Sequence, residues 1–311
     1  MLISRQLISL ALRNGWTVET NNRSSHDGVN LIGGGAAVVF PALATWLVFT
    51  QPIGLVDLAV LAGAVALAIV SWIDDRKMVH PGLRLALHII AVALVLSVLP
   101  AEQRILPDDW PLLIERLLTG FCWVWIINLY NFMDGIDGIA ACETIAICLG
   151  LFLIGNITLL PADMLILAVA LGGASLGFLP WNWHPSRIML GDLGAIPIGF
   201  LIGFLLLKLA IEGYLIAALI LPLYFLVDAS ITLLRRILSG EKFWHPHKEH
   251  FYQRMVQAGH SHDRIVLKVI GANIILIGVA LWSISQPLWA AIVAIGVVAV
   301  LLVHFHLKAQ K

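Results

Sequence analysis

The stretch NLYNFMDGIDGIA, Asn128 to Ala140, carries two aspartates, two asparagines and two glycines. It lies between two long apolar runs, 112–132 and 139–160. A helix that crosses a bilayer needs about twenty mostly apolar residues, so both runs are candidate membrane spans. An aspartate at the centre of the bilayer costs roughly 2.5–3.5 kcal/mol on insertion scales. Asp134 and Asp137 are therefore expected at the membrane edge or in a functional site.

The composition of the whole chain agrees with a membrane protein. Charged residues make up 12% of the 311 residues, against about 25% in soluble domains, and the mean hydropathy is +0.93. The longest polar stretch, 235–264, is too short to form a second domain. We therefore expect one membrane-embedded domain over residues 1–311. The formal net charge is zero, so the overall charge does not indicate a class of binding partner, and we do not expect the chain to bind nucleic acid.

The apolar runs predict an all-α, polytopic helical bundle with ten to eleven transmembrane spans. A short amphipathic segment at 1–13 would be the eleventh. The ten candidate spans are 34–50, 53–73, 83–100, 112–132, 139–160, 164–181, 193–211, 214–234, 266–285 and 287–305. The longer polar connections between them are 14–33, 74–82, 182–192 and 235–265.

The basic residues predict the orientation of these spans. Counted on alternate sides of the membrane, 16 of the 19 Lys and Arg residues fall on the side that carries the longer connections. Cytoplasmic loops are enriched in Lys and Arg, so this side is predicted to be cytoplasmic. The same alternation places every unusual polar motif at a cytoplasmic helix end, which predicts a cytoplasmic active-site cleft.

Paired carboxylates and glycine-flanked acids suggest what such a cleft does. Asp74 and Asp75 close one span beside several basic residues, which suits magnesium and a phosphorylated substrate. A helix-end ion pair at the lipid headgroups is the alternative. Asp192 lies between Gly191 and Gly194, where a carboxylate reaches a metal with little hindrance. An acid favoured by a helix N-terminus is the alternative there.

Asn128, Asn131, Asp134 and Asp137 recur every three residues, so each consecutive pair shares a helical face. A polar contact between helices or a proton path would also explain this row.

The loop at 235–265 is rich in histidine. His245, His247 and His250 accompany Lys242, Lys248 and Arg254, as a lid over a diphosphate would require. Zinc binding and attraction to anionic lipid are the alternatives. Gly33-Gly34-Gly35 lacks the lysine of a phosphate-binding loop and is uninformative by itself.

Taken together and in this order, the motifs resemble the polyprenyl-phosphate N-acetylhexosamine-1-phosphate transferases, the MraY/WecA-like glycosyltransferase family 4. The resemblance rests on RSSH…GGG, DDR, NxxNxxDGxDG and PSRIMLGD, and it covers most of the chain from Asn22 to about Arg254. The HPHKEHFYQR loop is similar to the branch that begins O-antigen or related glycan assembly. The resemblance implies transfer of N-acetylhexosamine-1-phosphate from a UDP-sugar to undecaprenyl (polyprenyl) phosphate, with UMP released, at the bacterial inner membrane.

The resemblance also implies roles for single residues. Asn131 and Asp192 would hold Mg²⁺, with Mn²⁺ an alternative. Asp74 and Asp75 match the family's catalytic pair, and Arg84 would contact a phosphate.

Other residues would bind the substrates. Asp137 and Asn182 would face the nucleotide. The remaining substrate-binding candidates are Asn128, Asp134, Arg187, His247, Lys248 and His250. Arg23 and His26 would lie near the phosphate of the lipid carrier.

Two other classes of function stay open from the sequence. A transporter with an acidic ion path would place acids near mid-span and show inverted repeats. A catalytically silent scaffold is the second alternative, because the family often has Pro-Thr-Pro-Arg where this chain has Val29-Asn30-Leu31-Ile32, and a serine where it has Ala195. The sequence leaves open the sugar, the glycan pathway, a homodimer, and whether an aspartyl-phosphate forms.

Overall fold

A computed structural model describes residues 33–77, 79–241 and 247–310, together with the backbone of two short strands. Strand β1 (Thr17–Glu19) pairs antiparallel with β2 (Val29–Leu31), with Thr17 opposite Leu31. The amphipathic segment expected at 1–13 lies outside the described residues.

The other regular elements of the described residues are helices joined by loops, which confirms the predicted helical bundle apart from the strand pair. A π-helical turn at Ala210–Tyr214 joins the helix Asp192–Leu209 to the helix Leu215–Ile220. The helices are α1 (Ala36–Phe49), α2 (Leu55–Asp74), α3 (Pro81–Val98), α4 (Leu112–Met133), α5 (Ile139–Thr158), α6 (Ala162–Asn182), α7 (Asp192–Leu209), α8 (Leu215–Ile220), α9 (Leu223–Leu238), α10 (Phe251–Gln257), α11 (His262–Trp282) and α12 (Pro287–Lys308).

Eight helical segments of the described residues are long and apolar enough to cross a membrane. They are α2 to α6, the segment Asp192–Ile220 that contains α7 and α8, α11 and α12. The chain is therefore a multi-pass membrane protein.

Two of the ten predicted spans fall short of that length. The run at 34–50 forms α1, whose 14 residues reach about 21 Å at 1.5 Å per residue, less than the roughly 30 Å of a bilayer core. The run at 214–234 is divided between α8 and α9 at Leu221-Pro222. Proline has no backbone N–H and interrupts the helical hydrogen bonds, which explains the break.

Helix α7 forms the centre of the bundle and carries the site residue Asp192 at its first position. Sixteen of its 18 residues are buried, as expected for a helix that is apolar on every face. Small residues let its neighbours approach closely. A Cβ at Gly203 would lie 2.2 Å from Trp123 Cδ1, and the indole Nε1–H of Trp123 donates to the carbonyl oxygen of Phe200 at 2.9 Å. This contact holds α7 against α4, the helix that carries Asn131.

Candidate active site

The polar motifs that are distant in the sequence meet at one end of the bundle. The side chain of Asn131, near the end of α4, donates a hydrogen bond to the carboxylate of Asp192 at the start of α7. The hydroxyl of Tyr252, from the histidine-rich loop, donates to the carbonyl oxygen of Phe132 at 3.0 Å. These contacts bring together residues that are 61 and 120 positions apart in the chain.

Asp192 is the point where three of these segments join. Its Oδ1 accepts a hydrogen bond from Asn131 Nδ2 at 2.6 Å. Its Oδ2 lies 3.2 Å from Arg84 Nη1, and the same nitrogen lies 2.6 Å from Asp74 Oδ2. The guanidinium of Arg84 thus bridges two carboxylates from different helices, which holds α2, α3 and α7 in one arrangement.

Asp75 caps the first turn of α7 from the end of α2. Its two carboxylate oxygens accept the backbone N–H groups of Asp192 and Leu193, each at 3.3 Å. A carboxylate at a helix N-terminus meets both unpaired N–H donors and the positive end of the helix dipole. Burial and the nearby negative charge of Asp192 raise the pKa of Asp75 to about 7.

Asp134 adds a further acid to this group. Burial and the charges of Asp192, Asp75 and Asp137 raise the pKa of Asp134 to about 8, against the opposing effect of a hydrogen bond from the backbone of Gly191. Burial is the larger cause of both shifts, and the neighbouring carboxylates add to it, so the cluster is a buried group of acids whose negative charges repel one another.

A divalent cation would balance that charge, and the donor chemistry fits magnesium. Magnesium prefers oxygen ligands, with one or two carboxylates completed by phosphate oxygens and water. The carboxylates of Asp75, Asp134 and Asp192 and the amide oxygen of Asn131 are donors of this kind.

Asp137 lies beside this cluster in a second polar group. Its Oδ2 is 2.6 Å from His184 Nδ1, 3.2 Å from His262 Nδ1, and 3.3 Å from the backbone nitrogen of Ser186. The ligand atoms of Asp137, His184 and His262 lie within 4.8 Å of one another, close enough to be considered for a metal ion.

Asn182 holds the loop that supplies His184. Its side-chain oxygen accepts the N–H of Gly138 at 3.1 Å, and its side-chain nitrogen donates to the carbonyl of Ile188 at 3.1 Å. Asn182 is buried, so it fixes the distance between the 182–192 loop and the start of α5.

The glycine triplet packs directly against the loop that carries Asp192. The backbone nitrogens of Gly34 and Gly35 donate to the carbonyls of Met189 at 3.1 Å and Leu190 at 2.9 Å. A Cβ at Gly35 would lie 2.2 Å from Gly194. The absence of side chains therefore allows a backbone contact that supports the site, which the sequence motif alone did not indicate.

The histidine-rich loop is anchored by two buried contacts. His250 is 2% exposed, and its Nδ1 lies 3.3 Å from the carboxylate of Asp228 in α9. A Cβ at Gly135 would lie 2.2 Å from the hydroxyl oxygen of Tyr252. The loop therefore lies against the DGIDG segment, with the ring of His247 4.9 Å from that of His250.

The other residues predicted to bind substrate differ in burial and in their contacts. Asn128 is partly buried and donates from Nδ2 to the carbonyl of Val124 in its own helix at 2.7 Å. Arg187 is exposed, with its guanidinium 5.6 Å from the ring centroid of Trp181. Lys248 is partly buried. The remaining predicted residues, Arg23 and His26, lie outside the described residues, as do Lys242 and His245 of the histidine-rich loop.

Three residues of this region were not singled out from the sequence. His184 lies in the polar connection 182–192, directly before the PSRIMLGD motif. Asp228 is an acid inside an apolar run, and His262 is the first residue of α11. The position of Asp228 carried a signal, because an acid inside an apolar span usually has a specific partner. His262 carried no comparable signal, since one histidine at a helix start is ordinary.

Comparison with known proteins gives a family and several relatives. The family model described as glycosyl transferase family 4 matches residues 57–210, which include Asp74, Asp75, Asn131 and Asp192. A probable undecaprenyl-phosphate N-acetylglucosaminyl 1-phosphate transferase from Bacillus subtilis is 25% identical over all of this chain and 88% of its own length.

Two other relatives match smaller shares. A decaprenyl-phosphate N-acetylglucosaminephosphotransferase from Mycobacterium tuberculosis is 32% identical over 59% of this chain and 51% of its own length. A phospho-N-acetylmuramoyl-pentapeptide-transferase from Clostridium beijerinckii is 29% identical over 66% of this chain and 68% of its own length. The chain thus spans most of the Bacillus relative and about half of the mycobacterial one.

Proposed function

Because the chain belongs to glycosyl transferase family 4, we propose that it transfers N-acetylhexosamine-1-phosphate from a UDP-sugar to polyprenyl phosphate, releasing UMP. The observation that carries this proposal is the convergence on Asp192. Asn131 and Arg84 contact its two oxygens, and Asp75 accepts a hydrogen bond from its backbone N–H. Oxygen donors beside a fixed guanidinium are what a cation and a diphosphate require together.

Asn131 and Asp192 are the residues that would hold magnesium, with manganese as the alternative ion. When bound, the ion would supply positive charge against the diphosphate. Arg84 supplies a second positive charge from the protein itself, and its ion pair with Asp74 at 2.6 Å keeps the guanidinium in place. Phosphoryl transfer depends chiefly on such positioning and charge stabilisation.

The lipid carrier is the nucleophile in the mechanism we favour. A phosphate monoester has a second pKa near about 6, so most of it is a dianion at pH 7. One of its oxygens attacks the phosphorus that bears the sugar, the bond from that phosphorus to the bridging oxygen breaks, and UMP leaves with the electron pair. Asp75 or Asp74 orients the carrier phosphate or takes a residual proton. The alternative is an aspartyl-phosphate intermediate.

The second polar group would receive the nucleotide. Asp137 and Asn182 lie on the nucleotide side in this proposal, and His247 and His250 cover the sugar phosphate from the histidine-rich loop. The contact of Tyr252 with Phe132 supports the last part, because it holds that loop beside the acidic cluster.

We further propose that the chain crosses the bacterial inner membrane ten or eleven times, with the shorter α1 and α9 adding to the eight long segments, and that this cluster lies on the cytoplasmic side. That orientation is supported by the distribution of Lys and Arg residues, of which 16 lie on this side and three on the other. Two of the three residues on the other side make structural contacts there. Arg104 Nε lies 3.0 Å from Glu115, and Arg116 donates to the carbonyl of Pro100 at 2.8 Å.

The sugar is proposed from the relatives and the pathway from the resemblance. The names of the Bacillus and Mycobacterium relatives give N-acetylglucosamine, so we place UDP-N-acetylglucosamine first among the donors. The product would begin O-antigen or another cell-envelope glycan.

The test uses membranes that contain the chain, labelled UDP-N-acetylglucosamine and undecaprenyl phosphate. We expect a labelled lipid and an equal amount of UMP, both abolished by Asp192→Asn. Asp163→Asn, at the other end of the bundle in the first turn of α6, is the matched control and should retain activity. If no UDP-N-acetyl sugar labels the lipid although the protein is folded, the proposal fails and the scaffold alternative is favoured.

A further inference from the structure

The carboxylate of Asp137 is held by imidazoles from two different elements. His184 belongs to the loop after α6, and His262 is the first residue of α11. Their Nδ1 atoms lie 2.6 Å and 3.2 Å from the same oxygen, Oδ2 of Asp137. Asp137 and His262 are both buried, at 4% and 6% exposure. A buried carboxylate approached by two ring nitrogens is therefore fixed in its orientation.

The geometry of this group is that of hydrogen bonds. Two ligands about 2.0–2.2 Å from one ion at tetrahedral angles lie more than about 3 Å apart. His184 Nδ1 and Asp137 Oδ2 are 2.6 Å apart, which is the length of a charge-assisted hydrogen bond. The backbone nitrogen of Ser186 points to the same oxygen at 3.3 Å. His184 and the backbone of Ser186 thus approach Oδ2 of Asp137, while the backbone N–H of Asp137 donates to Nδ1 of His262 at 3.4 Å. These contacts hold Asp137 without an ion.

His262 reaches Asp137 because α11 and α5 begin at the same end of the bundle. Asp137 lies just before α5, and the two helices pack along each other. The rings of His184 and His262 are 4.9 Å apart between centroids. Each ring thus limits the movement of the other, and both limit the movement of the carboxylate.

We propose that His262 is a positioning residue for the donor nucleotide, which acts by orienting the carboxylate of Asp137. This inference rests on the proposed function, in which Asp137 lies on the nucleotide side of the site. Loss of the His262 contact should weaken binding of the UDP-sugar and leave the carrier and the chemical step unchanged. His262 is 125 positions from Asp137, and neither the family resemblance nor the matched region 57–210 assigns it a role.

The side-chain geometry of asparagine and glutamine gives a direct test. The amide nitrogen of asparagine takes the place of Nδ1, and that of glutamine takes the place of Nε2. We expect His262→Ala and His262→Gln to raise KM for the UDP-sugar about tenfold, the low end for a hydrogen bond to a charged group. We expect His262→Asn to stay within about threefold of the wild type, while kcat and KM for polyprenyl phosphate stay unchanged in all three.

A double-mutant cycle tests whether His262 acts through Asp137. In an Asp137→Ala background, His262→Ala should change KM for the UDP-sugar no further. The matched control is His260→Ala, two residues earlier in the same loop, which should bind the donor normally. Binding of UMP to purified protein, measured by calorimetry, gives the same comparison without catalysis, and thermal unfolding reports whether each variant is folded.

Four outcomes would overturn the inference. The first is a folded His262→Ala variant with normal KM and normal UMP affinity. The second is equal loss in His262→Asn and His262→Ala, since position Nδ1 would then not matter. The third is an additive effect in the Asp137→Ala background. The fourth is stoichiometric zinc in the purified protein that is lost in His262→Ala, because the group would then be a metal site. A wild-type protein that binds UMP but transfers no sugar would instead overturn the proposed function.

Discussion

Replacing Gly35 with alanine tests whether the glycine triplet supports the site through its backbone. A Cβ at Gly35 would lie 2.2 Å from the Cα and N of Gly194, which is 1.2 Å short of the 3.4 Å at which ordinary contact begins. Both partners are backbone, so no side chain can rotate away. The two segments must therefore separate by about 1 Å, and overpacking of this kind typically destabilises a protein by about 1–3 kcal/mol.

The separation should reduce activity because Gly194 lies two residues after Asp192. A shift of this size would break the 2.6 Å contact with Asn131 and the 3.2 Å contact with Arg84. Misplacement of reacting groups by 1 Å costs about 100-fold in rate, so we expect a drop of about that size in kcat/KM for UMP release.

The assay is UMP release with UDP-N-acetylglucosamine and polyprenyl phosphate, beside thermal unfolding of the same preparation in detergent. Gly173→Ala in α6 is the control, since a Cβ there meets nothing within 4 Å and alanine is the better helix former. A Gly35→Ala enzyme with normal rate and normal melting temperature would refute the reasoning. So would a Gly173→Ala enzyme that loses as much as Gly35→Ala.

Three further predictions concern orientation, the metal and the nucleophile. A cysteine at Lys248 should be labelled only from the cytoplasm and one at Asp108 only from outside, and labelling of both from one side would contradict the cleft. Asp192→Asn should remove most activity and weaken the dependence on magnesium while the protein stays folded; near-normal transfer with unchanged magnesium dependence would exclude Asp192 as a ligand. Wild-type enzyme with UDP-sugar alone should show neither a UMP burst nor exchange of labelled UMP, and lipid-independent exchange that vanishes in Asp75→Asn would make Asp75 the nucleophile.

The sequence was sufficient for the class of fold and for the members of the acidic cluster. Apolar runs of about twenty residues predict membrane helices, and acidic residues at the ends of such helices indicate a functional site. Asp74, Asp192 and Asn131 were therefore recognisable before their contacts were known. The break between α8 and α9 was harder to predict, because the apolar run continues through Pro222 whereas the helix is interrupted there.

The partners of each side chain could not be predicted from local pattern. His262 contacts Asp137 across 125 positions, and such a contact depends on how α11 packs on α5. The role of Gly35 could not be predicted from its own motif either, because glycine is required there by the close approach of the backbone of Gly194. Local sequence shows which groups are unusual, whereas tertiary packing decides which group each one meets.

The contacts of the aspartate pair bear on how the reaction proceeds. Both oxygens of Asp75 accept hydrogen bonds from backbone N–H groups at the start of α7. One oxygen of Asp74 accepts a hydrogen bond from Nη1 of Arg84 at 2.6 Å, and the other accepts one from the backbone N–H of Val79 at 2.7 Å. Each hydrogen-bonded carboxylate oxygen keeps a second lone pair, but a carboxylate that turned this lone pair toward phosphorus would move away from the donors that now hold it. An arriving phosphate dianion carries its own free lone pairs and needs only orientation and neutralising charge. The hydrogen bonds of the pair therefore favour a role in holding α7 and Arg84 in place while the lipid phosphate attacks.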